Sequence, residues 1–202
     1  ETTNMLITKG NLLSSKESLR LAKLGYELMD RKRMILMQEL NKLMDDVKDL
    51  RDVIDKAYEE AYESLQKANV SYGVIDRLAQ LMPIEEDIKI VYRSVIGVEI
   101  PKVTLEPKPL DVCFALGITN SHLDDVYIKM RQVKYYTVKL AELDNGMYRL
   151  AKAIEKSRKR ANALDKIVIP NLESEIRFIS EALEEKEREE FLRMKKVKKM
   201  VG

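Results

Sequence analysis

The stretch LMQELNKLMDDVKDLRDVIDKAYEEA, residues 36–61, decides the fold of this chain of 202 residues. Its apolar residues recur in alternating steps of four and three, which keeps one narrow stripe of a helix facing a partner helix. This spacing is typical of a coiled coil. The stripe consists of Leu36, Leu40, Leu43, Val47, Leu50, Ile54, Ala57 and Ala61.

A second stretch with the same spacing lies in the C-terminal half, and Ile176, Ile179 and Leu183 extend it. Each half therefore predicts a long helix with one apolar stripe. The stripe of the second half consists of Tyr136, Leu140, Leu143, Met147, Leu150, Ile154, Ser157, Ala161, Leu164 and Val168.

A group of leucines upstream of the first stripe is one position out of phase with it. We expect this group to face the partner helix too, which requires a local change of supercoil pitch. The group consists of Leu21, Leu24, Leu28 and Ile35.

Prolines separate the two halves, because four of the five lie in the short middle segment (Pro83, Pro101, Pro107 and Pro109). We predict a mainly α fold, a long antiparallel two-helix coiled coil with a short segment between the helices that contains a β-hairpin. The predicted parts are an N-terminal coiled-coil helix at 5–82, a β-hairpin and connecting segment at 83–118, and a C-terminal coiled-coil helix at 119–200.

Helix caps and charges extend this prediction. Thr8 or Ser14 can cap the first helix, and Thr119, Asn120 or Ser121 the second. Antiparallel pairing with partner numbers that sum to about 204 places opposite charges together. It sets Lys16, Arg20 and Lys23 near Glu187, Glu184 and Glu181, and Asp45, Asp46 and Asp49 near Arg158 and Arg160.

The middle segment contains two runs rich in β-branched residues, Ile88–Gly97 and Val98–Leu105. They predict two short strands in a β-hairpin. Because Pro101 has no N–H to donate, its strand should be an edge. An isolated hairpin is marginally stable in water, so we expect it to pack on the helices or on a partner.

The composition excludes several classes of protein. With 36 Lys and Arg against 34 Asp and Glu, the formal charge is +2, which argues against a general nucleic-acid binder. One cysteine, Cys113, excludes an internal disulfide framework. Because the sequence contains neither a signal-like segment nor a long apolar run, we expect a soluble cytoplasmic protein without a membrane span.

Catalytic motifs are absent from the sequence, which has no phosphate-binding glycine loop, no paired-cysteine metal spacing and no nucleophile elbow. His122 is expected to be solvated or to cap a helix, and Cys113 to be a small buried residue. We therefore predict a protein that is not an enzyme and that uses no cofactor or metal. The residues alone favour a generic coiled-coil tether or scaffold.

Three further features could carry function. Arg158, Lys159 and Arg160 suit either the acidic cluster on the opposite helix or a contact with a third chain. The basic run Arg193, Lys195, Lys196, Lys198 and Lys199 suits either the dipole at a helix C-terminus or an acidic partner surface. Pro170 should kink or interrupt the second helix.

The run 154–198, IEKSRKRANALDKIVIPNLESEIRFISEALEEKEREEFLRMKKVK, resembles the D subunit, the central rotor shaft of V-type and A-type rotary ATPases. Its matching segments are Asn162–Leu164, Ile169–Pro170 and Glu187–Glu189. The N-terminal run 8–36 and the segment 93–101, RSVIGVEIP, are similar to the same family. Mild departures are Ile7, Lys159, Ala161 and Asp165.

The resemblance implies a non-catalytic central-stalk subunit, whose rotation couples ATP hydrolysis or synthesis in a catalytic head to proton or sodium transport. The implied partners are the catalytic A and non-catalytic B subunits of the head, a small F subunit of the stalk, and a funnel-like subunit that links the shaft to the membrane ring. The implied location is cytoplasmic and peripheral to the membrane, with no direct membrane insertion and no nucleic acid.

The residues that we expect to contact these partners fall into two sets. The hairpin set consists of Val91, Arg93, Val95, Ile96 and Val98. The other set is mostly basic and consists of Arg31, Lys32, Arg33, Arg158, Lys159, Arg160, Asn162, Arg188, Arg193, Lys195, Lys196, Lys198 and Lys199.

Overall fold

The computed structural model describes residues 7–73, 80, 88–105 and 121–201. It confirms the predicted fold class, which is mainly α with long antiparallel helices and a two-stranded hairpin between them. Cys113 and the predicted caps Thr119 and Asn120 lie outside the described residues. The elements are α1 Lys9–Tyr72, β1 Ile88–Val95, β2 Val98–Leu105, α2 Ser121–Ala163, a π-helical segment Leu164–Val168, and α3 Ile169–Val201.

The chain divides into two compact units. We call them the terminal unit, within residues 1–34 and 154–202, and the hairpin unit, residues 35–153. The three-part division predicted at 5–82, 83–118 and 119–200 stays a prediction, and several of its bounds lie outside the described residues.

Helix α1 begins with a cap that the sequence predicted. The hydroxyl of Thr8 accepts a hydrogen bond from the N–H of Asn11 at 3.2 Å, and the Thr8 carbonyl accepts one from the N–H of Leu12 at 3.1 Å. A threonine hydroxyl at this position satisfies an N–H that the first helical turn leaves without a partner. Thr8 rather than Ser14 is therefore the cap.

In the terminal unit, α1 and α3 run antiparallel, but the predicted register is wrong. Lys9 forms an ion pair with Glu187 at 2.8 Å, and Lys23 with Glu173 at 2.8 Å. The prediction placed Lys16 opposite Glu187, which is one heptad away. A heptad pattern repeats itself every seven residues, so a shift by one repeat keeps the apolar seam intact and only the side-chain details select the register.

The predicted change of phase at the start of α1 is also wrong. Ser15 and Ala22 are buried, whereas Leu21, Leu24 and Leu28 are each about half exposed. Ile35, the fourth member of that group, is exposed too. Ser15 and Ala22 precede Leu36 by three and two heptads, so one uninterrupted heptad frame holds along α1.

The π-helical segment shifts the phase of the second stripe by one residue. The N–H of Ile169 donates to the carbonyl of Leu164, five residues back, which adds one residue to the turn. Val168, predicted on the inner face, is therefore 38% exposed. Pro170 follows directly, so α-helical hydrogen bonding is interrupted here while the chain remains helical. After the extra residue, Ile179 lies on the inner face and is fully buried.

The hairpin unit buries the stripe that residues 36–61 predict. Leu36, Leu43, Val47, Ile54 and Ala61 are buried. Helix α2 packs antiparallel to this face of α1 and buries its own stripe. Cross-helix hydrogen bonds set the register, with Lys129 Nζ donating to Ser64 Oγ at 2.8 Å and the Tyr58 and Thr137 hydroxyls 3.3 Å apart.

The predicted hairpin is confirmed, with β1 and β2 antiparallel and Val95 opposite Val98. The two-residue connection, Ile96 and Gly97, has positive φ at both residues, 47° and 75°, as a type I′ turn requires. Ile100 and Pro101 are buried against the helices of their own unit. The hairpin thus packs on the helices, as an isolated two-stranded sheet needs.

Candidate functional site

The first candidate site is the hairpin surface, formed by β1 and the turn that follows it. Val91, Arg93 and Ile96 are exposed, while Val95 and Val98 are half buried beside the turn. The guanidinium of Arg93 is also paired with the carboxylate of Glu39 on α1. The five residues predicted for partner contact therefore belong to one continuous hairpin, and three of them are open to a partner.

The turn residue Ile96 combines backbone strain with exposure. A β-branched residue at φ 47° is a conformational outlier, because its Cβ crowds the following carbonyl. Asparagine or glycine would occupy a type I′ position without this strain. Yet Ile96 remains 43% exposed, so packing within the described residues does not account for its side chain. Strain kept at an exposed apolar position points to a use for that side chain.

Two side chains of α2 fasten β2 to the helices. The buried carboxylate of Glu142 accepts a hydrogen bond from the N–H of Val103 at 2.8 Å, and Lys139 donates to its other oxygen at 2.9 Å. Arg149 donates to the carbonyl of Glu99 at 3.2 Å. The sequence pattern gives no signal for these α2 residues, since their partners lie far away along the chain.

The second candidate site is the terminal surface, which is the end of α3 beyond Glu187. Lys9 is the first residue of α1 and pairs with Glu187, so residues 188–200 extend past the start of α1. Every one of them is exposed. They include large apolar side chains exposed by more than half, namely Phe191, Leu192, Met194, Val197 and Met200.

These apolar residues do not form one stripe. At about 100° per residue they are distributed around the whole circumference of the helix. Charged residues lie between them, so this end of the helix offers both apolar and charged contacts on every side. The end of α3 is therefore suited to a surrounding partner rather than to a flat surface on one side.

The predicted basic residues of the terminal unit differ in their pairing. Several form ion pairs within their own helix, namely Lys159 with Glu155, Arg188 with Glu184, Arg193 with Glu189 and Arg33 with Asp30. Arg31, Arg158, Arg160 and Asn162 are exposed, and Lys32 is half buried. Within the described part of the chain, no ion pair involves Lys195, Lys196, Lys198 or Lys199.

A further apolar stripe lies on the outer face of α1 in the terminal unit. The inner face carries Ser15 and Ala22, and the exposed leucines Leu13, Leu21, Leu24 and Leu28 lie on the opposite side at helical spacing. The periodicity of the sequence predicted that three of these leucines, Leu21, Leu24 and Leu28, lie inside. Exposed apolar residues in one row mark an interaction surface more often than scattered ones do.

Hydrogen bonds shift the pKa values of exposed charged pairs in the terminal unit. The bond between Lys9 and Glu187 raises the pKa of the lysine and lowers the pKa of the carboxyl. In the same way, the bond from Arg20 lowers the pKa of Glu17. These are the shifts of ion pairs, and they do not mark a catalytic acid or base.

Other site chemistry is sparse where the structure describes the chain. In these ranges no three His, Cys, Asp or Glu side chains come close enough to hold a metal ion. His122 is exposed near the start of α2. None of the described helices is both long and apolar enough to cross a membrane.

Comparison with known proteins agrees with this architecture. The family model that describes the D subunit of ATP synthase matches residues 11–199. That match covers both helical halves and the hairpin. The chain belongs to the ATP synthase D-subunit family.

Several relatives show the same extent of similarity. The V-type ATP synthase D subunit of Thermotoga neapolitana is 39% identical over 96% of this chain and 97% of the relative's length. The A-type ATP synthase D subunit of Pyrococcus abyssi is 36% identical over 95% of this chain and 92% of its own length. The protein of the same name from Thermococcus kodakarensis is 31% identical over all of this chain and 96% of its own length.

Family membership confirms the resemblance drawn from the sequence. As a member of the D-subunit family, the chain is a non-catalytic central-stalk component of a multisubunit ATPase complex. A generic tether or scaffold, the other interpretation of the helical pattern, is not favoured.

Proposed function

We propose that this chain is the rotor shaft of its complex and that its terminal surface turns inside the ring of catalytic A and non-catalytic B subunits. The exposed end of α3 carries this proposal, because apolar and charged side chains are both exposed on all its sides, which suits a partner that encloses it. The leucine stripe on the outer face of α1 adds apolar surface to the same unit.

Rotation couples to catalysis in this proposal because the shaft is not symmetric. Leucines lie on the outer face of α1, whereas the end of α3 presents apolar and basic side chains together. Each catalytic site of a ring would meet a different face of such a shaft. A contact that differs among sites biases their conformations differently, which is what any allosteric coupling requires.

The basic residues Lys195, Lys196, Lys198 and Lys199 supply attraction without tight docking. They are exposed and make no ion pair with a described residue. Each exposed charge pair stabilises by only about 0–1 kcal/mol, so several contacts can form and break as the shaft turns. Arg158, Lys159 and Arg160 would act in the same way farther from the end of α3.

The hairpin surface is proposed to bind the small F subunit of the stalk, through Val91, Arg93 and Ile96. A funnel-like subunit would link the shaft to the membrane ring, so that head catalysis drives, or is driven by, proton or sodium transport. In this proposal the chain lies on the cytoplasmic side, peripheral to the membrane as part of the complex. The name of the relatives supports a place in an ATP synthase complex, and the exposed side chains of the hairpin support its contact with a partner.

Neutralising the basic end tests the proposal. A variant with Lys195, Lys196, Lys198 and Lys199 changed to alanine is assembled with co-expressed head and stalk subunits. The matched control changes four cations that are exposed elsewhere in the chain, Arg51, Lys56, Lys67 and Lys156, to alanine. We expect only the variant that lacks the four C-terminal lysines to weaken assembly or coupled ATPase turnover. The melting temperature of the isolated chain should stay almost unchanged.

Two results would count against the proposal. Equal loss of assembly in both variants would mean that net charge matters and the tail does not. Failure of the unaltered chain to join a complex with its head subunits would sink the shaft assignment itself.

A further inference from the structure

The two edges of the hairpin differ in a way that suggests a mode of binding. Around the two-residue turn, Val95 and Val98 are opposite each other and form a hydrogen-bonded pair. Bonded and non-bonded pairs then alternate along an antiparallel ladder. Residues 94, 92 and 90 on β1, and their partners 99, 101 and 103 on β2, therefore direct their backbone groups away from the hairpin.

On β2, each of these outward positions is blocked. The Glu99 carbonyl accepts a hydrogen bond from Arg149, and the Val103 N–H donates to Glu142. Between them, Pro101 has no N–H. Its place at a non-bonded pair leaves the ladder intact. β2 therefore has no row of groups left for another strand.

On β1, the corresponding positions are open. Ile90 and Tyr92 are 55% and 53% exposed, and Ser94 is exposed as well. Within the described residues, nothing bonds to the outward N–H or C=O of these three residues. An open row of this kind is a template for another strand, and natural proteins usually block it. Among the residues that the structure describes, the blocking is confined to one edge.

We propose that the outer edge of β1 binds an extended, acidic segment of a partner protein, which adds a third strand to the hairpin. Main-chain hydrogen bonds to Ile90, Tyr92 and Ser94 supply the affinity in this mode of recognition. The side chains of β1 favour an acidic partner, because the strand carries Lys89 and Arg93 and no acid, and Glu39 on α1 already pairs with Arg93. Carboxylates on the added strand would lie beside these cations.

Charge also disfavours the symmetric pairing of two copies of the chain about Val91. Antiparallel pairing of two β1 strands about Val91 would set Lys89 directly opposite Arg93 of the partner copy. Like charges directly opposite destabilise a sheet. The inference does not depend on which ATPase component supplies the strand. Its test uses the isolated chain, so failure here would leave the rotor proposal standing.

The test uses two end-blocked peptides, one of alternating valine and glutamate and one of alternating valine and lysine. Binding to the full chain is followed by amide exchange and by backbone NMR signals. We expect the acidic peptide to slow exchange at Ile90, Tyr92 and Ser94. The basic peptide should bind at least about tenfold more weakly.

The variant Ile90→Pro removes one outward N–H without removing a ladder bond, as Pro101 does on the other strand. It should weaken the acidic peptide by about tenfold while thermal unfolding stays nearly the same. If Ile90→Pro does not fold, the double variant Lys89→Glu and Arg93→Glu replaces it, and that variant should reverse the preference between the peptides.

Three results would overturn the proposal. One is equal binding of both peptides, and another is binding that leaves the amides of Ile90, Tyr92 and Ser94 unchanged. The third is protection of these amides in the chain alone. In that case, sedimentation would show what covers the edge of β1. A monomer would mean that another part of the same chain covers it, and a dimer would mean that a second copy does.

Discussion

The side chain of Ile100 lies directly over the backbone of Gly146, so that a Cβ added to that glycine would be 3.0 Å from Ile100 Cγ2. Leu43 Cδ1 would be only 3.3 Å away. This contact joins β2 to both helices of the hairpin unit. A glycine in the middle of α2 therefore allows the hairpin to pack closely on the helices.

The variant Gly146→Ala should lower the stability of the hairpin unit. Alanine gains about 1 kcal/mol of helix propensity, but the overlap with Ile100 and Leu43 costs about 1–3 kcal/mol. Denaturant unfolding measures the sum. Gly25→Ala is the control, because its Cβ would lie 3.7 Å from Leu164, an ordinary contact distance, and it should be neutral or stabilising. A more stable Gly146→Ala variant would contradict this packing.

Glu142 should hold β2 on α2 through the Val103 N–H. Removal of the acceptor in Glu142→Ala should cost about 1–2 kcal/mol and speed amide exchange at Val103. Glu142→Gln keeps an oxygen acceptor for Val103 and loses the ion pair with Lys139. It should therefore retain slow exchange at Val103. Equal exchange rates at Val103 in the two variants would refute the acceptor role.

The phase of the α1 seam can be tested with two leucines. Leu36 is fully buried, so Leu36→Ala should destabilise the chain by about 2–5 kcal/mol. Leu24 is 48% exposed on the outer face, and Leu24→Ala should change the free energy of unfolding by less than about 0.5 kcal/mol in the isolated chain. A large loss of stability in Leu24→Ala would instead support the change of phase that the sequence predicted at the start of α1.

The pair of Lys9 and Glu187 predicts a defined pH dependence. Folding lowers the pKa of Glu187, so its contribution is present above the ordinary carboxyl pKa and is lost as the pH falls through the lowered value. Folding raises the pKa of Lys9, so its contribution persists below the ordinary lysine pKa and is lost only as the pH rises through the raised value.

NMR titration of the carboxyl groups checks this pair directly. Lys9→Met should return the pKa of Glu187 to its ordinary range. The pKa of Glu17 should stay low in the same variant, because Arg20 lowers it independently. An unchanged Glu187 titration in Lys9→Met would contradict the register observed between α1 and α3.

The sequence predicted the seam well where leucine, valine and isoleucine occupy the inner positions, as from Leu36 to Ala61. It failed at the start of α1, where buried Ser15 and Ala22 occupy the inner face and the leucines lie outside. Hydrophobic periodicity follows the larger apolar residues, so it selected the outer stripe. The same periodicity repeats at each heptad and could not distinguish the true register from its neighbour.

In the middle of the chain, too, the sequence predicted some features and missed others. The two runs rich in β-branched residues, Ile88–Gly97 and Val98–Leu105, predicted both strands, whereas the turn at Ile96 and Gly97 is seen only in the structure. The blocking of β2 depends on Glu142 and Arg149, which follow their partners by 39 and 50 residues. Pro170 predicted an irregularity in the second helix. That the irregularity is a π-helical segment and not a break is shown by the hydrogen bond from Ile169 to Leu164 and by the burial of Ile179 but not of Val168.

The central claim, that this chain rotates within its ATPase head, is tested most directly by watching it turn. A bead would be attached through Lys67→Cys, an exposed position of the hairpin unit, in a Cys113→Ser background, with the reconstituted head fixed to a surface. We predict that the bead rotates in one direction when ATP is added and stops when ATP is withdrawn. Steady ATP hydrolysis by the assembled head with a stationary bead would contradict the account.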